Sequence, residues 1–218
     1  MTSGYPTTEA ERSLASEGFG LIAGLDEVGR GAWAGPVSVG VVLVPTATPA
    51  PEGLRDSKLV PEDQREAMFP LVVAWCTDWA VGHAGPEECD RWGMTVALRL
   101  AARRALDGLR TTPDVVLLDG SFDYLTESGE LPGGAAPSPP VRTIVRGDTT
   151  CTSIAAASIV AKVTRDRMMR DLAEHFPAFD FDRNKGYPSP VHRTALVGRG
   201  LTSIHRRSWS YVDQLPFR

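Results

Sequence analysis

An α/β fold with a mixed β-sheet is the architecture this sequence predicts, and three observations predict it. Short β-branched runs such as Val37–Val44 and Val115–Leu118 have the length and composition of buried strands. Between them lie stretches whose apolar residues recur every three or four positions, the mark of helices packed on one face. Two strands come first and strand then alternates with helix, an order that suits a sheet with both parallel and antiparallel neighbours. At 218 residues the chain has room for one sizeable core.

The elements follow in order. Residues 1–18 are polar and lack an apolar core, so they are expected to form a flexible N-terminal tail and neither a signal peptide nor a membrane span. Gly20–Leu25 is an apolar, glycine-rich strand that runs into Asp26-Glu27-Val28-Gly29-Arg30-Gly31, and Val37–Val44 is the strand after that turn. Pro61–Trp75 is helical, with Met68, Leu71, Val72 and Trp75 at helical spacing, and Asp78–Gly82 is a third strand. A second helix spans Thr95–Leu109. Its stripe is Leu98, Ala102, Ala105 and Leu109, and Arg99, Arg103 and Arg104 lie largely off it. Val115–Leu118 is a buried strand ending in Asp119-Gly120. Ser128–Pro140, rich in Gly, Pro, Ser and Ala, is a surface loop, and Val141–Val145 resumes a strand that leads to Gly147-Asp148. The helix from about Cys151 to His175 carries Ala155, Ala156, Ile159, Ala161 and Val163 on a face small enough to lie close against the sheet.

Cys76, Cys89 and Cys151 match no zinc spacing and no disulfide framework, which fits a reducing cytoplasm. The net charge of −4 is unevenly spread: residues 183–218 carry +6 and the remainder −10. A basic end on an acidic body suggests a polyanion-binding segment beside a cation-binding site.

The chemistry sits in the acids. Three predicted strands end in or run into carboxylates: Asp26 with Glu27, Asp119, and Asp148. Strand ends of α/β sheets are where sites collect. Four convergent carboxylates repel unless hard cations offset them, and all-oxygen ligation favours Mg²⁺ or Mn²⁺. Two such ions are the usual apparatus of phosphodiester hydrolysis.

Leu25–Gly31, Asp56-Ser57-Lys58, Leu117–Gly120, Gly147-Asp148, Ser153–Asp166, Asn184-Lys185-Gly186-Tyr187 and Ser203–Trp209 together resemble bacterial type 2 ribonuclease H, the ribonuclease HII family. The resemblance spans nearly the whole chain. It implies a ribonuclease H-like mixed sheet flanked by helices over residues 19–175. Residues 176–218 would be a basic, helical C-terminal extension that contributes to substrate binding. It implies endonucleolytic cleavage of RNA–DNA hybrid duplexes and of single ribonucleotides in duplex DNA with two Mg²⁺ or Mn²⁺ ions, and a cytoplasmic monomer is expected alongside it. Asp26, Glu27, Asp119 and Asp148 would be the catalytic, metal-binding acids, while Asp166, inside a helix, is expected to be structural. The turn Gly29-Arg30-Gly31 would read the 2′-hydroxyl, which alone distinguishes a ribonucleotide, with Gly29 and Gly31 permitting the approach and Arg30 also able to reach a phosphate. Tyr187 would pack on the following sugar, and Ser57, Lys58, Arg206 and Arg207 would contact phosphates.

The chain departs from the family pattern at Leu59-Val60-Pro61 after Lys58, at Arg146 before Gly147-Asp148, and at Pro188 after Tyr187. Two other readings stand beside this one. A nuclease of the same fold acting on DNA junctions would lack a reason for Gly29-Arg30-Gly31 and Tyr187. A non-catalytic hybrid-binding protein would lack one for the four acids. The related type 3 enzymes differ in the turn and in an N-terminal binding domain.

Overall fold

The computed structural model describes residues 5–45, 48–126 and 138–215. Most of the predicted loop Ser128–Pro140 lies outside them. In chain order the elements are α1 (Glu9–Ser16), β1 (Ile22–Val28), β2 (Val37–Leu43), α2 (Glu62–Trp75), β3 (Asp78–Ala84), α3 (Pro86–Asp107) and β4 (Val115–Asp119). There follow β5 (Val141–Ile144), α4 (Gly147–Thr150), α5 (Thr152–His175), α6 (Phe181–Asn184) and α7 (Pro190–Arg199).

The strands form one sheet in the order β3-β2-β1-β4-β5. The β1–β2 and β2–β3 pairs are antiparallel, whereas β1–β4 and β4–β5 are parallel, so the sheet is mixed as expected. One face packs on α3 through Ala23, Leu25, Val39, Val41, Leu98, Ala101, Ala102 and Ala105. The other packs on α5 and α2 through Val42, Val72, Ala155, Ala156, Ile159 and Val163. The small residues of α5 have the predicted consequence. A Cβ on Gly40 would stand 2.6 Å from the Ala157 carbonyl oxygen, and one on Gly24 would overlap the Ser153 main chain. Glycine in the strands and alanine in the helix therefore bring α5 close to the sheet.

Two expectations are corrected. Residues 1–18 are not a free tail in their described part, because α1 docks on the start of α5. The Ser153 N–H donates to Glu11 Oε1 at 2.7 Å, Glu11 and Leu14 are buried, and Thr7 bridges Cys151 in parallel. A carboxylate at the N-terminus of a long helix offsets its unpaired N–H groups and its dipole. The second helix begins at Pro86 rather than Thr95 and is kinked at Gly93, where φ is 77°. Glu88 accepts from the Gly85 N–H at 2.9 Å and pairs with Arg104 at 2.6 Å, which holds the added turns. Arg99, expected off the apolar stripe, is buried and donates to the Tyr124 carbonyl at 2.8 Å.

Beyond α5 the chain does not run free. Phe179, Phe181, Leu196 and Tyr211 form a core of their own with Ala34 and Met169. No helix among the described residues is long and apolar enough to cross a membrane.

Gly24→Ala should lower stability by about 1–3 kcal/mol, because the added methyl must push α5 off β1. A thermal melt checks this, and a melting temperature equal to the parent's would contradict the close approach.

Candidate active site

Parallel pairing puts two of the acids side by side. Leu25 of β1 partners Leu118 of β4, so Asp26 and Asp119 are the next residues on adjacent strands running the same way. Asp26 is 3% exposed and its Oδ1 accepts the Glu27 N–H at 2.9 Å. Alternation along β1 gives Asp26 the α5 face and Glu27 the α3 face. Asp148 does not end a strand as expected. β5 stops at Ile144, Arg146 takes a left-handed conformation (φ 58°), and Asp148 opens the short helix α4. That turn aims its N–H at Asp119, donating to Oδ1 at 3.3 Å. The Lys58 ammonium bonds Asp148 Oδ2 at 2.9 Å, and Glu27 meets Arg30 at 3.7 Å.

Burial is the first cause that raises the Asp26 carboxyl above its usual range, with the charges of Glu27, Asp119 and Asp148 adding to it. Glu27 is raised by burial and Asp119 charge against the pull of Arg30, and Asp119 by burial and the Asp148 charge. Burial alone would lower Lys58, but its bond to Asp148 and the charges of Asp26, Asp56 and Asp148 outweigh that and push it up. The acids thus sense one another and draw in the Lys58 ammonium. Among the described residues, no three acidic, histidine or cysteine side chains converge tightly enough to make a ready cation cage. The donor set nevertheless fits a hard divalent cation: every acid is an oxygen ligand, and the ionised forms that burial and repulsion penalise are the ones a cation restores.

The turn after β1 owes its shape to two buried guanidinium groups. Arg206 donates to the carbonyls of Gly29 (2.7 Å), Arg30 (3.0 Å) and Gly35 (3.1 Å). Arg165 donates to Pro36 (2.9 Å), Ala34 (3.3 Å) and Lys185 (2.9 Å). Gly29 has φ 86°, and a Cβ there would collide with the Arg165 guanidinium, so this position requires glycine. Its N–H donates to the Tyr187 hydroxyl at 3.1 Å, which fixes the ring across the turn. Gly31 is exposed, and a Cβ on it would lie 3.8 Å from Tyr187 Cε1, so the space between turn and ring is narrow.

One cleft of about 340 Å³ gathers Asp26, Glu27, Gly29, Arg30, Gly31, Ser57, Lys58, Asp119 and Tyr187, and Lys162 with them. Arg206 does not belong to it. Fully buried and bound to the turn's carbonyls, it cannot contact a phosphate, and that expectation is corrected. Arg207 is exposed, with its N–H held by Asp90 Oδ2 at 2.7 Å. Ser57 lines the cleft but is mostly buried, its N–H donating to Ser158 Oγ at 3.0 Å. Asp166 makes the ion pair expected of it inside α5, meeting Lys162 at 2.8 Å and Arg65 at 3.6 Å. Sequence reasoning passed over Lys162 and Arg165. Both stand within one helical turn of Asp166, on the helix whose small face marks it as central.

A family profile described as Ribonuclease HII matches residues 23–212. The ribonuclease HII of Streptomyces avermitilis is 50% identical over 212 residues, which cover 97% of this chain and 86% of that protein. The crystal structure of the ribonuclease H2 from Pyrococcus horikoshii superposes with a TM-score of 0.73 at 27% identity, covering 89% of this chain and 96% of that one. The structure of Bst-RNase HIII in complex with Mn²⁺ shares the fold, with a TM-score of 0.66 at 20% identity over 92% of this chain and 71% of that one.

Arg206→Ala should destabilise the fold by several kcal/mol, since each buried carbonyl left unpaired costs about 1–3 kcal/mol. Arg207→Ala should leave stability within about 0.5 kcal/mol, as exposed substitutions usually do. Chemical denaturation of the two variants measures both, and equal effects would contradict the different placement of these neighbours.

Proposed function

The chain belongs to the ribonuclease HII family, and from that premise we propose that it cleaves the RNA strand of RNA–DNA hybrids and single ribonucleotides within duplex DNA at Asp26, Glu27, Asp119 and Asp148. It is a ribonuclease H-type endonuclease. The observation that carries the finer reading is the cleft itself, in which Asp26, Glu27 and Asp119, the glycine turn and Tyr187 line one space, with Asp148 behind its wall on Lys58 and Asp119.

Asp26, Glu27, Asp119 and Asp148 would hold Mg²⁺ or Mn²⁺, two ions in the catalytic complex. Divalent cations bound there would supply an activated water and neutralise the leaving oxygen. The protein's own groups do the remaining work. The Asp148 N–H on Asp119 and the Lys58 ammonium on Asp148 keep these acids aligned with their charge partly offset. The exposed Arg30 and Lys58 side chains flank the cleft and suit backbone phosphates. Ser57 adds to the cleft wall, and Arg207 offers an exposed charge outside it. The turn presents main chain at Gly31, where no Cβ obstructs a ribose, and the Tyr187 ring forms the facing wall.

Residues 19–175 then serve as the catalytic body, and residues 176–218 contribute to binding chiefly through Tyr187 and the support of the turn. The protein acts as a cytoplasmic monomer in this reading. The acids favour it over a non-catalytic hybrid-binding protein, and the narrow gap between Gly31 and Tyr187 favours it over a junction nuclease.

Chelation should abolish cleavage, and Mg²⁺ or Mn²⁺ should restore it. Asp148→Asn should lose nearly all turnover with the fold and duplex affinity retained, because shape is kept and a ligand charge removed. Full activity in chelator would overturn the cation reading. Gly31→Ala, which the fold accommodates, and Tyr187→Ala should each slow cleavage at a single ribonucleotide more than cleavage of a long hybrid. Parallel rate measurements on the two substrates check this, and equal losses would assign both residues to general binding.

A further inference from the structure

Behind the cleft, Tyr187 is held by a chain of hydrogen bonds whose direction is fixed at both ends. His192 Nδ1 lies 2.9 Å from the Tyr187 carbonyl oxygen, His192 Nε2 lies 3.0 Å from His205 Nε2, and His205 Nδ1 lies 3.0 Å from the Thr202 N. A carbonyl only accepts, so His192 must carry its proton on Nδ1 and accept at Nε2. A main-chain N–H only donates, so His205 must accept at Nδ1 and carry its proton on Nε2. The two assignments meet at the central contact with one donor and one acceptor. They do so only when both rings are neutral.

We propose that His192 and His205 form a positioning relay that fixes the Tyr187 main chain from behind and thereby sets the enzyme's preference for a single ribonucleotide over a long hybrid. The relay rests on the role of Tyr187 given above and names what holds it. Tyr187 is tied at three points: its N–H donates to the Asn184 carbonyl at 2.9 Å, its hydroxyl accepts the Gly29 N–H at 3.1 Å, and its carbonyl accepts from His192. Residues 184–186 are held by Arg165 and by the Trp33 and Ala34 N–H groups, so loss of the carbonyl tie frees only the main chain after Tyr187, and the ring tilts about its remaining two bonds across the gap facing Gly31. A long hybrid offers many registers to a tilted ring, and a lone ribonucleotide offers one.

The surroundings keep both rings uncharged. His192 and His205 are buried, with the rings of Phe181 and Phe179 at centroid distances of 5.2 and 5.0 Å respectively. Trp33 meets His192 edge-on at 5.7 Å, and Arg193 caps the Trp33 ring on another side at 5.0 Å. Burial lowers the His205 imidazole to about 3, with His192 and the Arg207 charge adding to the effect. Burial also lowers His192, against the bond to the Tyr187 carbonyl, which raises it. The charged groups that face the pair are thus cationic, and none favours an imidazolium.

The test combines a signature in the parent protein with rates in variants. Imidazole nitrogen resonances of the full chain at pH 6 should show His192 as the neutral Nδ1–H tautomer and His205 as the neutral Nε2–H tautomer. The opposite tautomer or a charged ring in either would overturn the relay without any variant having to fold. His205→Leu removes the proton that His192 Nε2 accepts. The ratio of kcat/KM for a single-ribonucleotide duplex to that for a long hybrid should fall about fivefold to tenfold, the scale of one hydrogen bond. His205→Gln keeps an N–H near the same place and should hold the ratio within about threefold of the parent, comparable to a few tenths of a kcal/mol. A ratio unchanged in a folded His205→Leu, with both rates reduced alike, would reduce the pair to core packing and overturn the proposal. Tyr187→Ala, measured alongside, separates the two layers. If it leaves the ratio unchanged, selectivity does not reside in Tyr187 and the proposal falls with that assignment, even if the resonances show the relay bonds intact.

Discussion

Two guanidinium groups buried against main-chain carbonyls are the interaction on which the cleft depends. Arg165 and Arg206 come from distant parts of the chain and converge on the loop from Gly29 to Pro36. Burying a charge is costly, and the cost is offset only when its donors are satisfied. Here carbonyls satisfy them. Burial lowers Arg165 to about 10, which still leaves it charged near neutrality. The loop is therefore shaped by partners it cannot trade for water, and its carbonyls are drawn inward. That arrangement leaves glycine main chain and the Tyr187 ring at the surface of the cleft. It also ties the C-terminal segment to the turn after β1, since Arg206 and Tyr187 both lie beyond α5.

The acids show a complementary economy of charge. Asp26 and Asp119 are adjacent because β1 and β4 run parallel in register, and Asp148 reaches them from a helix whose first turn points at Asp119. Repulsion and burial push three of the four carboxyls up, and Lys58 answers at Asp148. Such a cluster is stable enough to fold and still electrostatically unsatisfied, which is the state from which a cation gains most.

The sheet and the acids were legible in the sequence because they depend on local pattern. β-Branched runs gave β2 and β4, and the alanine face of α5 announced its approach to Gly24 and Gly40. Arg206 and Arg207 show where local pattern stops. They are adjacent and chemically alike, yet one is fully buried and the other exposed. What separates them is an array of carbonyls some 170 residues away in sequence, which no charge count reveals. The N-terminal helix was hidden for a similar reason. Its few apolar residues suggest a solvated segment, and its anchor is a carboxylate, Glu11, whose partner is the N-terminus of α5. Asp148 was misplaced by one element because β5 stops at Ile144 and Arg146, two residues on, is left-handed, a conformation that sequence gives little reason to expect outside glycine.

If the cleft recognises a ribose by main chain and ring, that recognition precedes the work of the acids. The most direct measurement is single-turnover cleavage of a DNA duplex carrying one ribonucleotide, set beside the same duplex in all-DNA form. The expected result is a cut at the ribonucleotide in the first and none in the second under the same cation. Comparable cleavage of both, or of neither while a long hybrid is cut, would contradict it.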